Sequence, residues 1–285
     1  MRGEGIGEPV VSVRGLVHRI GGRPILKDVS LDLYPGEVVG LIGPGGSGKT
    51  QLIRCLVTLT WPARGDLKLF GRPVGLLRRR RLRECRTRIG LQFQNFALFD
   101  YLDVWNNVAF PLLHARGMRP DEADLLVRSA LERVGLSGSE AKLPSELSGG
   151  MRRRVAIARV MAAAPEIAVF DDPVAGLDPV NSAKIMALLR DYASTSGSLV
   201  LVATHDLDRL LPITSRVVAV FGGRVAYDGP TSALMTGAPD EVRRFVAAAL
   251  SGEADPDLDD PPARSGRSSP GDAAAAVLGK SGGVS

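Results

Sequence analysis

Eight consecutive residues, Gly43-Pro44-Gly45-Gly46-Ser47-Gly48-Lys49-Thr50, fit the phosphate-binding spacing G-x-x-x-x-G-K-[ST] at every fixed position. The glycines let successive backbone N–H groups turn toward one anion, and the N-terminus of a following helix adds partial positive charge. Lys49 would then reach the β- and γ-phosphates of a nucleotide, and the Thr50 hydroxyl could ligate Mg²⁺. A glycine-rich turn can imitate such a string. The flanks argue against imitation: Val38-Val39-Gly40-Leu41-Ile42 has the length and branching of a buried strand, and Gln51 to Val57 reads as a helix.

Other segments supply matching chemistry. Ile167-Ala168-Val169-Phe170-Asp171 is an apolar strand ending on a carboxylate, which can hold Mg²⁺; a turn aspartate at a strand end is the plainer alternative. Leu199 to Ala203 is a second such strand, running into Thr204-His205-Asp206, and Ile89 to Gln94 looks like a strand entering a loop. In a parallel α/β sheet, ligands sit beyond the carboxyl ends of the strands, the edge where Gly43, Gln94, Asp171 and His205 would collect. A separate stretch, Leu147-Ser148-Gly149-Gly150-Met151, puts a serine N-cap and two glycines ahead of a helix, a second anion site on one chain or a common capping turn.

The elements that must position these residues can be read in chain order. Val10 to Val17 and Ile25 to Leu33 alternate as half-buried antiparallel strands around the turn Gly21-Gly22-Arg23-Pro24, and a short strand runs from Asp66 to Phe70. Helical patterns occupy Trp105 to His114, Asp121 to Val134 and Ser148 to Ala164, an insert between two parts of an α/β core. After the 167–171 strand come a helix from Pro179 to Ser194, the 199–203 strand, a strand from Arg216 to Phe221, a Gly222-Gly223 hairpin and an amphipathic helix from Asp240 to Leu250.

Composition sets bounds. The chain has 285 residues, 45% of them apolar, and two cysteines, Cys55 and Cys85. That is ample for a core and gives neither a disulfide framework nor metal-ligand spacing. No apolar run approaches the roughly 18–20 residues of a membrane span, and Met1-Arg2-Gly3-Glu4-Gly5 lacks a signal-peptide stretch, so a cytosolic location is expected. Net charge is +5, with −3 on residues 251–285 and therefore +8 on the body. The densest positive run, Arg78 to Arg88, reads as a solvated helix face or as a contact for acidic lipid head groups or a partner subunit. No stacking aromatics are interleaved with it, so a nucleic-acid partner is not expected.

The order of P-loop, glutamine loop, LSGG, strand-end aspartate and strand-end histidine closely resembles the ATP-binding cassette (ABC) ATPases, over Val10 to Leu250. The resemblance implies an α/β fold, a P-loop NTPase core of ABC type with an antiparallel β element and an inserted helical subdomain. On that basis residues 1–9 are an N-terminal extension, 10–250 the ATPase domain with its helical subdomain over 97–165, and 251–285 a tail of disordered composition. It also implies a head-to-tail homodimer holding two ATP molecules. Each would be gripped by Gly43, Pro44, Gly45, Gly46, Ser47, Gly48, Lys49, Thr50 and Gln51 of one subunit and by Ser148, Gly149 and Gly150 of the other, with Asp178 crossing the dimer. Mg²⁺ would meet Thr50, Gln94 and Asp171. Gln94 would also feel a transmembrane permease, and His205 would sit near the γ-phosphate.

Two positions depart from the family. Where a glutamate generally follows the strand-end aspartate to polarise the attacking water, this chain has Asp172, one methylene shorter, which predicts slow hydrolysis. The aromatic that stacks on adenine is replaced by Ile20 or His18, so neither offers a large ring face.

The stretches Phe93 to Asp100 and Val104 to Leu112, with Leu143-Pro144-Ser145-Glu146 ahead of the LSGG, are similar to bacterial lipid-transport cassettes of the Mla and Mce (mammalian cell entry) type. That likeness implies an MlaE-like permease, a lipid-binding Mce-type protein in the same system, and a place on the cytoplasmic face of the inner membrane. Phe96, Leu98 and Phe99 would form the permease docking surface or pack the helical subdomain. Amino-acid importers and exporters share the remaining motifs, and an ATP-dependent dimerisation switch with slow hydrolysis is the reading from another class.

Overall fold

A computed structural model describes residues 7–251. The tail beyond Ser251 lies outside them. Strands β1 (Val11–Ile20) and β2 (Arg23–Leu33) pair antiparallel from Val11 opposite Leu33 to Ile20 opposite Arg23. After β3 (Val38–Ile42) and α1 (Lys49–Leu56), strands β4 (Arg64–Leu69) and β5 (Arg72–Pro73) complete a four-stranded sheet of order β2-β1-β4-β5. Helix α2 (Arg79–Arg86) leads into β6 (Ile89–Gln92). The helical insert follows as α3 (Val104–His114), α4 (Pro120–Arg133) and α5 (Gly149–Ala162).

The core resumes with β7 (Ile167–Asp171), α6 (Pro179–Ser196), β8 (Leu199–Ala203) and the short helix α7 (Leu207–Leu210). The hairpin β9 (Arg216–Phe221) and β10 (Arg224–Pro230), then α8 (Leu234–Gly237) and α9 (Asp240–Ser251), end the described chain. The second sheet has six strands in the order β10-β9-β3-β8-β7-β6, parallel except for β10. This mixed α/β architecture is the one expected from the sequence.

Both faces of the six-stranded sheet are covered, which is why its strands are continuous apolar runs. Alternate residues feed two cores. Val38, Ile42, Ala168, Phe170, Val200 and Val202 pack with the helical insert, whereas Val39, Leu41, Ile167, Val169, Leu199 and Leu201 pack under the antiparallel sheet and α1. Helix α5 belongs to the first core through Val155, Ile157 and Ala158, all fully buried. The insert is therefore packed onto the sheet and not a separate lobe.

One ionic cluster ties the strand starts opposite the site. Arg216 on β9 bonds Asp228 on β10 through Nε at 2.7 Å and Glu37 ahead of β3 at 3.2 Å. Burial pulls the Arg216 guanidinium down, and the Asp228 and Glu37 carboxylates more than reverse it, so its pKa lies above the usual value. Removing the arginine strands two carboxylates that are largely enclosed. Arg216→Ala is expected to cost about 1–3 kcal/mol in urea unfolding, below the full penalty for a completely buried pair; an unchanged midpoint would contradict this.

Candidate functional site

The parallel register brings the predicted residues to one edge. Leu41, Ala203 and Asp171 stand level on β3, β8 and β7, so the P-loop, His205 and the two aspartates emerge side by side. A cleft of about 320 Å³ opens there, lined by Gly45 to Gln51 of the P-loop and α1, by Gln94, by Asp171 and Asp172, and by Thr204 and His205. Gln51 thus faces the cleft from the first turn of α1. Gly43 and Pro44 shape the loop without lining the cleft; their carbonyls hold the Lys49 ammonium at 2.6 and 2.9 Å.

Gly43 and Gly48 show why the loop needs glycine. Gly43 has φ +140°, and a Cβ there would lie 2.1 Å from the Val220 carbonyl oxygen of β9. Gly48 has φ +109°, and its Cβ would meet Leu26 at 2.9 Å. The β9–β10 turn braces the loop from the other side, Gly223 N–H donating to Ser47 O at 3.1 Å while Gly223 O accepts from Lys27 N–H at 2.7 Å.

Charge in the cleft is costly without a ligand. Burial lowers the Lys49 pKa to about 8, against the opposing pull of Asp171 and Asp172. Burial, then the Asp172 charge, raises the Asp171 carboxyl, while Lys49, Arg54 and the Thr50 hydroxyl act in the other direction. Above about pH 8 the free protein loses the Lys49 proton, whereas a bound polyphosphate favours keeping it. ATP binding is then accompanied by proton uptake, and affinity should fall toward tenfold per pH unit above that value. Calorimetry in buffers of differing ionisation heat checks this; a pH-independent affinity with no proton uptake would refute it.

The residues fit a nucleoside triphosphate with Mg²⁺. Helix α1 has no side-chain cap and no acidic residue in its first turn, so its N-terminal N–H groups face the cleft uncompeted, and the Ser47 hydroxyl is buried with no partner. Among the described residues no group of three His, Cys, Asp or Glu side chains could hold a metal alone. Thr50, Asp171 and Gln94 offer oxygen ligands only, which suits Mg²⁺ shared with phosphate oxygens.

The two adenine-side candidates separate. Ile20 is half exposed and lines the cleft. His18 is buried with Nδ1 3.1 Å from the Trp61 carbonyl oxygen, and it does not line the cleft. The β1–β2 register is irregular on either side of His18, where β2 carries the extra residues.

A second concavity lies on the face that carries Ser148, Gly149 and Gly150 of the LSGG stretch, called the signature face below. Ser148 caps α5, its Oγ accepting from Met151 N–H at 3.2 Å, and Ser148, Gly149, Gly150, Asp178 and Phe96 line this face. Asp178 caps α6, accepting from Val180 and Asn181 N–H, and these bonds hold its carboxyl below the usual range. The two concavities have no lining residue in common.

Sequence reasoning missed the residues that brace these groups. Thr204 Oγ1 donates to Asp172 Oδ1 at 3.0 Å. The Arg159 guanidinium donates to the carbonyls of Phe96 and Ala97, two consecutive residues at φ +59° and +47°. The buried Asn107 side chain accepts from Phe99 N–H and donates to the carbonyls of Phe99, Leu102 and Asp103, pinning the loop after Gln94 to α3. Their partners are mainly backbone groups and carry no motif.

A phosphate cradle between strand and helix, with carboxylates and a histidine at neighbouring strand ends, defines a P-loop nucleotide-binding protein. The family described as "ABC transporter" matches residues 26–175. The chain is 34% identical to the "Probable ribonucleotide transport ATP-binding protein mkl" of Mycobacterium leprae over 83% of its length and 68% of the relative's. It is 37% identical to the "Methionine import ATP-binding protein MetN" of Mesorhizobium japonicum, over 85% of the chain and 66% of that relative, so it spans about two thirds of either protein. A dimeric structure of the ATP-binding cassette MJ0796 bound to ADP and Pi superimposes with a TM-score of 0.73 at 30% identity, over 78% of this chain and 98% of that one. The chain belongs to the ABC transporter family, in its ATP-binding subunits.

Proposed function

We propose that this chain is the ATP-hydrolysing subunit of a bacterial transporter, acts as a head-to-tail homodimer, and drives phospholipid or another hydrophobic lipid between membranes beneath an MlaE-like permease. The observation that supports the dimer is that cradle and signature face are built on one chain yet share no residue, as the two halves of a site shared between copies would be. In this reading Lys49 and the α1 N-terminus hold the phosphates, Thr50, Asp171 and Gln94 hold Mg²⁺, Asp172 and His205 orient the attacking water, and Ser148, Gly149 and Gly150 of the second copy close the site, with Asp178 at the crossing. Bound Mg²⁺ would neutralise charge on the phosphates.

An apolar groove of about 410 Å³ supports permease docking. Phe93, Phe99, Phe110 and Pro111 line it beside Arg86 and Arg159. Of the three residues expected to dock or to pack, Phe99 lines this groove and stacks 4.5 Å from Phe110, Leu98 packs on the core, and Phe96 lies under Arg153 on the signature face. Among the described residues no helix is long and apolar enough to cross a membrane. In this reading the permease, with a lipid-binding Mce-type protein in the same system, places the chain at the cytoplasmic face of the inner membrane.

The likeness to a methionine importer supports a second reading, import of a small polar solute. Reconstitution with a candidate permease decides between them. ATPase stimulation by phospholipid in proteoliposomes is the expected result, and stimulation by methionine or another amino acid, with no response to lipid, would replace the lipid reading.

A further inference from the structure

Helix α2 takes no part in the nucleotide cleft, yet it carries the densest charge of the chain. Arg79, Arg80, Arg81 and Arg83, with Arg78 just before them, are all exposed. Glu84 pairs with Arg80 and Arg81. Among the described residues no carboxylate pairs with Arg78, Arg79 or Arg83. The opposite face holds α2 down through Leu82 and the buried Cys85, so positions 79, 80 and 83 form one outward stripe.

Exposed apolar residues adjoin this stripe. Leu76 is 83% exposed and Trp61 52%, and both line one cavity beside the start of α2. Arg86 fixes the two parts together, its Nε donating to Thr58 Oγ1 at 2.9 Å and a terminal nitrogen to Thr58 O at 2.6 Å. An arginine stripe that follows an exposed leucine in the chain, and is tied through Arg86 and Thr58 to the segment carrying an exposed tryptophan, matches a bilayer surface, with guanidinium groups at phosphate depth and apolar side chains below.

We propose that α2, Leu76 and Trp61 form a direct contact with anionic phospholipid head groups. Arg86 and Thr87, at the end of α2, also line the groove assigned to the permease, which puts both surfaces on neighbouring parts of the molecule. The inference rests on the permease reading for that orientation alone. The contact itself needs no permease.

Flotation of the full chain, without permease, on phosphatidylcholine vesicles with and without phosphatidylglycerol tests it. Recovery with the anionic vesicles alone, lost at high salt, is the expected result. The triple substitution Arg79→Gln, Arg80→Gln, Arg83→Gln should weaken binding about a hundredfold, at roughly one factor of five per arginine. Leu76→Ser should weaken it about tenfold. Basal ATPase activity of both variants stays at the wild-type level and certifies their folding. Failure to float with anionic vesicles, equal recovery on neutral ones, or an unaffected triple variant overturns the proposal, as does tighter binding of the same arginines to duplex DNA. Intact vesicle binding together with a permease that never stimulates the ATPase would sink the permease reading and leave this one standing.

Discussion

Gly149→Asp is expected to leave the monomer as stable as wild type and to abolish ATP-driven dimerisation, with steady-state ATPase falling about 10²-fold or more. Gly149 opens helix α5 directly after its Ser148 cap, and a Cβ there meets nothing within 4 Å. A carboxylate in a first helical turn is electrostatically favourable by a few tenths of a kcal/mol to about 1 kcal/mol. Nothing within one chain therefore penalises the substitution. The penalty arises only if a triphosphate approaches this helix N-terminus from a second copy. Gly150 is a poorer probe, because its Cβ would meet Leu177 at 2.9 Å and confuse packing with function.

Mixing makes the test sharper. Lys49→Ala removes the ammonium from the cradle and leaves the signature face untouched. A heterodimer of Gly149→Asp with Lys49→Ala has one site assembled from an intact cradle and an intact signature face, and one site with both halves broken. Activity should reappear on mixing two inactive chains. A site completed within a single chain predicts no such recovery, and its absence, with dimers shown to form, would refute the shared site.

The parts of the fold legible in the sequence are those where one physical demand dominates. Strands β8 and β9 run over the predicted residues because a doubly covered sheet leaves no room for polar interruption. The start of α5 follows from the Ser148 cap, and the P-loop from glycine positions that admit no Cβ. Illegible parts depend on contacts distant in the chain or on backbone states of ordinary residues. Whether His18 or Ile20 lines the cleft is not given by alternation, since the two are two residues apart on one strand; His18 is taken up instead by the Trp61 carbonyl, 43 residues away in the chain. Arg159 reaches Ala97 across 62 residues, and no glycine announces the left-handed turn at Phe96 and Ala97.

Asp172 carries the other large effect. Asp172→Asn should retain ATP binding and dimerisation while lowering turnover about 10²-fold or more, since a carboxamide cannot take a proton from water. Asp172→Glu should do the reverse and raise turnover. The residue sits at φ +55°, a backbone state that aspartate adopts more readily than longer side chains, and its N–H donates to the Ala203 carbonyl at 2.7 Å. One carboxylate oxygen is engaged by Thr204, and the residue lines the cleft on a short tether. The chain thus combines a comfortable backbone with reduced reach, and reach governs general-base work. Glutamate restores the missing methylene at a backbone cost of about 1 kcal/mol, visible as a lower melting temperature. Turnover per folded molecule at saturating ATP is therefore the quantity to compare. Equal or lower turnover in Asp172→Glu would show that the short carboxylate already reaches the water, and that Thr204 positions it for catalysis instead of restraining it.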